Sequence, residues 1–526
     1  MSAEPLTGTS TGTVMKALSR GGVEYAFRIG LGLAVIPVVL HRVGADVYGV
    51  WVAISTVLAV GSMADLGVRT EVTRRVAAAW GAGDREGAKR STREGSAILV
   101  ATGGLLVVLG VVGASTISAW VFPRGVPGVT PGEIDELIRA CVVLLGLGLV
   151  ADGHFAVLRG VQRTDLESIC RTVGEVSGSL VTILWVLSGG GLWALFTGAA
   201  VQLGADYAGR AWATHRVAPG IGFGVVRPRN LRVWLAASGL LVTAQVSEVI
   251  DVQWDKLVLA RYVGAPASAA YNVGTTLVGQ AKVLALLPLV PLVAAAAELA
   301  ATRPERLDRI YRRLGTASFA VGAVVLGAVV VFAPTFIRLW LGSPGLPGAA
   351  LAAQVSAIAI AFNLLPAPLV MREIGSGRMG APAAGAIANV VTNGVVSFLL
   401  TRLIGFDGAL YGSIAGNVAG AVVFFGALRA QGRLRMPGLR AAAAAGIVAA
   451  GAWALLRDDR TGGWVVLAVS AFAYVILQVA VVLMAAGSED RRDWFSVIRR
   501  AGWHHRLPPG GDTPATPAAP ADRTAG

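Results

Sequence analysis

Charge is scarce in this chain. Only 14% of its 526 residues are Asp, Glu, Lys or Arg, against about 25% in a soluble domain. At the same time 55% are hydrophobic and the mean hydropathy is +0.66. That balance excludes an ordinary soluble globular domain. Cysteine is scarcer still. Cys141 and Cys170 fall at opposite ends of consecutive helices in the reading below, which excludes a disulfide and leaves two small apolar side chains. No Walker motif, zinc-ligand spacing or nucleophile elbow stands out, so neither an enzyme nor a bound cofactor is expected. The first 21 residues are polar and rich in Ser and Thr, without a short apolar core and cleavage site, so the first hydrophobic run is expected to be retained.

What the sequence does have is apolar length. Runs of about 20 residues, enough to cross a hydrocarbon core as helices, recur along almost all of it. Fourteen candidate helices begin near residues 22, 44, 95, 136, 168, 189, 232, 264, 313, 347, 379, 407, 440 and 463. The net charge of +14 falls between those runs and does not call for nucleic acid. With the N-terminus inside, inner segments hold 34 Lys and Arg and outer segments eight: Arg42, Arg124, Lys256, Arg261, Arg338, Arg402, Arg457 and Arg460. A missed helix would invert the alternation downstream, so both termini are expected in the cytoplasm and the chain in the cell membrane.

The outer loops are short, the longest being "PRGVPGVTPGEID" at 123–135. After residue 487, "EDRRDWFSVIRRAGW" reads as a basic amphipathic helix at the lipid headgroups, followed by a disordered Pro/Ala/Thr tail.

The chain also repeats itself. "RVGADVYGVW" (42–51) returns loosely as "YVGAPASAAY" (262–271), aligning Gly44 with Gly264 and Trp51 with Tyr271. "RGVQR" (159–163) resembles "IGSGR" (374–378), and the Gly191 region resembles the Gly408 region, all at offsets of 215 to 220. Both units start inside, so they are parallel copies related about the membrane normal. The expected fold is an all-α polytopic membrane protein: two six-helix lobes plus two helices, a V-shaped transporter with a central cavity. The expected boundaries are 1–21 cytoplasmic, 22–216 N-lobe, 217–231 linker, 232–430 C-lobe, 440–486 the last two helices and 487–526 the tail. In both hairpins the Gly marks the turn, and Tyr48 and Trp51 read as interfacial anchors.

Residues 41–90, from "HRVGADVYGVWVAISTVLAVGSMADLGVRT" onward, resemble the opening of the polysaccharide biosynthesis proteins, the Wzx-type flippases. These belong to the MOP superfamily, alongside MATE exporters and lipid II flippases. "WDKLVLARYVGAPASAAYNVGTTL" (254–277) is similar to the family's seventh-to-eighth helix junction, and "PTFIRLWLG" (334–342) and "GFDGALYGSIAG" (405–416) are similar to later landmarks. The resemblance covers about residues 20–430. It implies movement of an undecaprenyl-diphosphate-linked oligosaccharide from the inner to the outer leaflet, with membrane lipids and polysaccharide synthesis and polymerisation machinery as partners.

Such a cargo needs cations and hydrogen-bonding groups between the lobes, and ionisable residues in spans are costly enough to be weighed singly. Arg28 in helix 1 and Lys282 in helix 8, beside Gln280, are the candidate phosphate contacts. Glu24 offers Arg28 a partner inside the protein, whereas Lys282 has none nearby. Asp65/Arg69, Arg171/Glu175 and Asp206/Arg210 read as structural i,i+4 pairs.

On helix 7, Glu248, Asp251 and Asp255 share a face. Glu248 and Asp251 are candidates to couple H⁺ or Na⁺ entry to carrier return, while Asp255, beside Lys256 and Arg261, reads as an interface residue. Asp152 and His154 form a second proton-relay candidate. Prolines 37, 288, 291, 366 and 368 are expected to kink spans 1, 8 and 10. A MATE-type exporter of cations would share the architecture but not the cationic cavity. A lipid II flippase is a further alternative. A membrane glycosyltransferase or polymerase would need acid pairs in outer loops that this chain lacks, and a non-transporting scaffold remains the bland alternative.

Overall fold

In hydrocarbon every backbone N–H and C=O must be satisfied within its own segment or a closed barrel, so these apolar runs fold as helices. The computed structural model describes residues 11–65, 67–221, 234, 253–300, 302–342, 346–434, 439–456 and 463–485. Among them there is no strand, only an isolated bridge between Val126 and Val129.

The first half comprises α1 (Thr11–Gly61), α2 (Val68–Gly81), α3 (Arg85–Val121), α4 (Pro131–Gly160), α5 (Thr164–Leu187) and α6 (Gly191–Val217). The second begins with α7 (residues 253–262) and α8 (Ala265–Leu286). It continues through α9 (Val290–Leu299), α10 (Pro304–Leu341), α11 (Ala349–Leu364), α12 (Ala367–Gly375), α13 (Gly380–Ile404) and α14 (Phe406–Ala430). Two further helices, α15 (Leu439–Leu456) and α16 (Trp464–Ala485), pack on α10. Eight described helices are long and apolar enough to span a membrane, or nine if α11 and α12 form one span.

The helix breaks fall where the backbone demands them. Gly44 interrupts α1 at φ 83°, and Gly264 separates α7 from α8 at φ 132°, regions that side-chain-bearing residues rarely adopt. The repeat motif is thus a joint of one or two residues in each half. Pro288 lies in a 3-10 turn between α8 and α9, and Pro366 and Pro368 mark the 43° bend between α11 and α12. Pro37 stays inside α1, whose non-helical residue is Gly44 instead. The basic stretch after residue 69 is not a loose connection: α2 buries Val68, Val72 and Val76 against α3 and α4.

Within the halves, α3 packs on α4, α5 on α6 and α13 on α14, while α8, α10 and α11 pack together. Between the halves, α1 packs on α8 and touches α10. One apolar cluster runs through both, joining Val50, Val52 and Ala53 of α1 to Ala265, Ala269 and Val273 of α8. Outward faces are apolar as well. On α13, Ile387, Val391, Val395, Leu399 and Leu403 recur every fourth residue and are all exposed, a stripe that fits lipid. Cys141 and Cys170 are both buried and free.

Candidate functional site

The contacts between the halves gather toward one end of the bundle, the end holding the Gly44 and Gly264 breaks, termed the hairpin end. A Cβ at Gly49 would overlap the carbonyl of Ala265, so glycine there lets α1 and α8 touch backbone to backbone. Around that crossing lie polar rungs. Asn272 Nδ2 donates to Tyr48 Oη at 3.0 Å, Thr56 Oγ1 to Gln253 Oε1 at 3.3 Å, and Trp340 Nε1 to the Leu33 carbonyl at 2.8 Å. At the rim, Arg124 Nη1 donates to the Tyr262 carbonyl at 3.2 Å and Arg261 to the Trp120 carbonyl. Tyr48 is therefore buried in the seam between halves rather than anchoring a membrane interface, and Trp51 packs half-buried against the same core. The hairpin motif is a docking element because its glycines permit close approach and its Tyr finds an amide 224 residues away.

Behind the seam sits a second polar cluster. Asp255 on α7 is fully buried and accepts from Tyr271 Oη at 2.7 Å, Ser413 Oγ at 2.6 Å and Ser397 Oγ. Tyr271 and Ser413 are themselves 3.1 Å apart. The cluster thus joins α7, α8, α13 and α14. α13 and α14 meet closely there, since a Cβ on Gly412 would lie 2.5 Å from Ser397 Cα. Trp254 Nε1 adds a 3.1 Å bond to the Gly394 carbonyl. One turn further on α14, Asn417 donates to the Ser413 carbonyl while its buried Oδ1 accepts no hydrogen bond from the described residues.

Asp255 is not at an interface, contrary to the sequence expectation, and Lys256 is buried too. The partners that enclose Asp255 come from 142 and 158 residues away. Glu248 and Asp251, the other members of the acidic stripe, lie outside the described residues. The described residues hold no group of three or more His, Cys, Asp and Glu fit for a metal ion. What surrounds Asp255 is a set of hydroxyl oxygens.

Beyond the seam, α8 carries Asn272, Thr275, Gly279 and Lys282 on one face, by their spacing of three and four. Lys282 is half-buried, makes no ion pair among the described residues, and lies about 27 Å along the helix from Gly264, at 1.5 Å per residue. Gln280, two residues away, is also half-buried. Arg28 lies on α1, about 24 Å before Gly44 by the same measure. Its side chain lies outside the described residues. The backbone positions of the two candidate cations are thus matched in depth, Lys282 on α8 and Arg28 on the α1 segment that precedes the Gly44 break.

The opposite, basic end is arranged differently, each half holding its charges mostly within itself. In the first half, Arg69, Arg159 and Arg210 crowd the Phe155 ring at 5.1, 4.3 and 5.0 Å. Carboxylates answer them: Asp65 and Asp152 lie 3.8 and 3.5 Å from Arg69, Glu167 lies 2.9 Å from Arg159 and Asp206 lies 2.6 Å from Arg210. Two of the expected i,i+4 pairs, Asp65/Arg69 and Asp206/Arg210, are among these.

Asp152 and His154 are not brought together. Asp152 is an ion-pair partner of Arg69, while His154 is buried edge-on to Tyr207 at 5.4 Å. His154 lines a narrow crevice with Thr92, Ser96 and Thr214. On α2, Glu71 receives Arg74 and Arg75, each at 2.7 Å, and Arg74's hydrogen bonds lead in holding its carboxyl below the usual carboxylate range. In the second half, Glu373 takes Arg378 at 3.0 Å and Arg433, and Arg372 pairs with Asp308 at 2.6 Å. One residue of the stretch between the halves reaches across: buried Trp234 donates to Glu94 Oε2 at 3.2 Å, with the Arg75 guanidinium 3.9 Å above its ring.

No protein-family model and no curated protein matches the sequence. Solved structures do match in fold. The chain is similar to an inward-facing conformation of a multidrug resistance MATE family transporter of the MOP superfamily, with a TM-score of 0.60 and 17% identity over 77% of this chain and 94% of that one. It is similar to the lipid II flippase MurJ in an inward closed conformation, with a TM-score of 0.64 and 10% identity over 88% and 98%. An outward-facing conformation of a multidrug resistance MATE family transporter matches at 0.51, with 16% identity over 78% and 94%. The chain thus resembles these transporters and this flippase in fold.

Proposed function

We propose that this chain carries a polyprenyl-diphosphate-linked oligosaccharide from the inner to the outer leaflet of the cell membrane by alternating access between its two halves. The observation that carries the reading is the pairing of α1 and α8. They seal the halves together at the hairpin end through the α1 segment after Gly44, and beyond that seal Lys282 on α8 lies at a depth matched by the backbone of Arg28 on the α1 segment before Gly44. With the basic end in the cytoplasm, as the Lys and Arg distribution along the sequence expects, the cleft opens toward the leaflet where the cargo is assembled. There a half-buried Lys282 acts as a point charge for a diphosphate, in surroundings of low dielectric that strengthen the attraction. The sugar is taken between the halves while the polyprenyl chain stays in lipid, against apolar faces such as that of α13.

The higher TM-score to an inward-facing MATE conformation (0.60) than to an outward-facing one (0.51) supports the same direction of opening. The lipid II flippase neighbour, matched over 98% of its length, favours a second reading in which the cargo is a lipid-linked peptidoglycan precursor. A MATE-type exporter of organic cations fits less well, because Lys282, half-buried on α8 beyond the seal, has no ion-pair partner among the described residues and would repel a cationic cargo.

Return of the empty carrier needs a driving ion, and Asp255 is the group that takes it. A buried carboxylate ringed by three hydroxyls is costly as a lone anion. Its hard oxygen donors suit a proton or Na⁺. The test of the main reading follows labelled lipid-linked sugars to the outer leaflet in cells depleted of this protein. Their outward movement is expected to stop, and undiminished movement overturns the proposal. Lys282→Ala and Arg28→Ala are each expected to abolish export while the protein still inserts, and normal export by both removes the cations from the mechanism.

A further inference from the structure

Phe155 and Tyr262 each draw in three arginines, but only the first set is neutralised. Around Phe155, at the basic end, Arg69, Arg159 and Arg210 are answered by Asp65, Asp152, Glu167 and Asp206. Around Tyr262, at the hairpin end, Arg261 and Arg402 lie 5.4 and 5.7 Å from the ring centroid, and Arg124 donates to the Tyr262 carbonyl. Among the described residues none of these three makes an ion pair. Glu133 caps α4 through Thr130, Asp255 is enclosed by Tyr271, Ser397 and Ser413, and Asp407 in the first turn of α14 pairs with no cation.

The three arginines come from the turn after α3, from α7 and from α13, and so from both halves. Arg124 reaches into the second half, and Arg261 answers by donating to the Trp120 carbonyl of the first, with its guanidinium 4.9 Å from that ring. Stacking uses the face of a guanidinium and leaves its five N–H donors at the edge. Among the described residues Arg124 and Arg261 each place one donor on a carbonyl, and Arg402 places none. Arg124 and Arg402 are exposed and Arg261 is half-buried, so the remaining donors are within reach of the aqueous phase. Membrane orientation does not account for them, because it disfavours Lys and Arg on the outer side, where the sequence reading puts this end.

We infer that the Tyr262 hub is an oxyanion site: a phosphate group takes the N–H edges of Arg124, Arg261 and Arg402 and, because these arginines belong to both halves, holds the hairpin end closed. Without the anion, closure brings three like charges to one residue. With it, each guanidinium gains a charge-assisted partner of the shape it fits bidentately. A ligand shifts a two-state equilibrium only by its different affinity for the two states, and here the difference is whether Arg124 stands beside the other two. A soluble phosphate and the headgroup of an anionic phospholipid carry this same chemistry. Neither a driving ion nor a lipid-linked cargo is needed for the closure.

Spin labels at Gly132 and Leu351, exposed in the first turns of α4 and α11, report closure of the two halves by pulsed electron resonance in the full-length protein. In neutral phosphatidylcholine nanodiscs, inorganic pyrophosphate is titrated against sodium chloride of equal ionic strength. A second series replaces pyrophosphate with increasing phosphatidylglycerol in the disc. At least one of the two probes is expected to raise the ratio of short to long separations by about tenfold, within the usual range of coupling between sites. A response to pyrophosphate in neutral discs identifies a soluble phosphate, and one confined to phosphatidylglycerol identifies a lipid headgroup. Arg402 lies on Tyr262 and Phe398 of its own half. Arg402→Gln is therefore expected to leave the anion-free ratio at or above that of wild type while raising the half-saturating amount of probe about tenfold, as for one lost charge-assisted bond. Arg402→Lys is expected to recover part of that loss.

A ratio indifferent to both probes, an equal response to sodium chloride, or an unchanged half-saturation in Arg402→Gln each overturns the inference. A lower anion-free ratio in Arg402→Gln does so as well, since it would make the arginine a structural clasp. A protein that closes on phosphate but moves no lipid-linked sugar sinks the cargo reading alone, and one that moves the lipid without this response sinks the inference alone.

Discussion

Phe155 carries more than its size suggests. Three guanidiniums meet its ring within 5.1 Å, and their carboxylates hold them there. Phe155→Leu keeps the apolar volume and removes the ring's attraction for cations, so a loss of about 1–3 kcal/mol is expected, read as a lowered Tm in detergent. Lys282 is a different case, a cation with no described ion-pair partner, whose replacement removes a ligand contact and little packing. Lys282→Ala is expected to leave thermal stability within about 0.5 kcal/mol of wild type while export is lost. A large drop in Tm would recast it as structural. Glu71 gives a pH signature. Its carboxyl is held low by Arg74, so its stabilising effect is complete above the ordinary carboxylate pKa of about 4.3 and vanishes as pH falls through the lowered value. The Tm gap between wild type and Glu71→Gln is expected to shrink on acidification from neutral pH toward 3.

Among the elements, α13 and α14 form the tightest pair near Asp255. Gly412→Val would push against Ser397 and separate the two serines that hold the carboxylate. The expected cost is about 1–3 kcal/mol in stability, read as a lowered Tm in detergent. Helix identity was largely legible from sequence, because apolar length and Pro/Gly punctuation act locally. The joints at Gly44 and Gly264, and the bends at Pro288 and Pro366, fall where the chain's own residues require them. The burial of Asp255 was not legible. Lys256 and Arg261 beside it suggested a wet rim, and the serines that enclose it lie more than a hundred residues onward. Tyr48 misled in the same way. An aromatic next to a turn fits a headgroup belt, and only Asn272 from the other half makes it a rung of the seam. Glycine spacing at 49 was the one local hint of close approach, and in a chain with 68 glycines it did not stand out.

At the scale of the whole molecule, the halves join at one end and hold their charges mostly separately at the other. Access should therefore be one-sided. A cysteine at Gly279, exposed on α8 beyond the seam, is expected to react with a membrane-impermeant maleimide supplied from the basic side, whereas one at Ala270, buried in the seam, is expected to stay unlabelled. Equal labelling of both would show that the seam does not close. The two native cysteines, both buried, keep the background low. The single-residue joint at Gly44 and its counterpart at Gly264 have a consequence for recognition by other molecules. They leave almost no loop for an antibody, a phage or a protease to grip, and among the described residues the hairpin end offers mainly the turn at Pro123–Gly128. An epitope tag meant to report surface display should be tolerated there, at Pro127–Gly128, and should break the protein if inserted at either glycine joint.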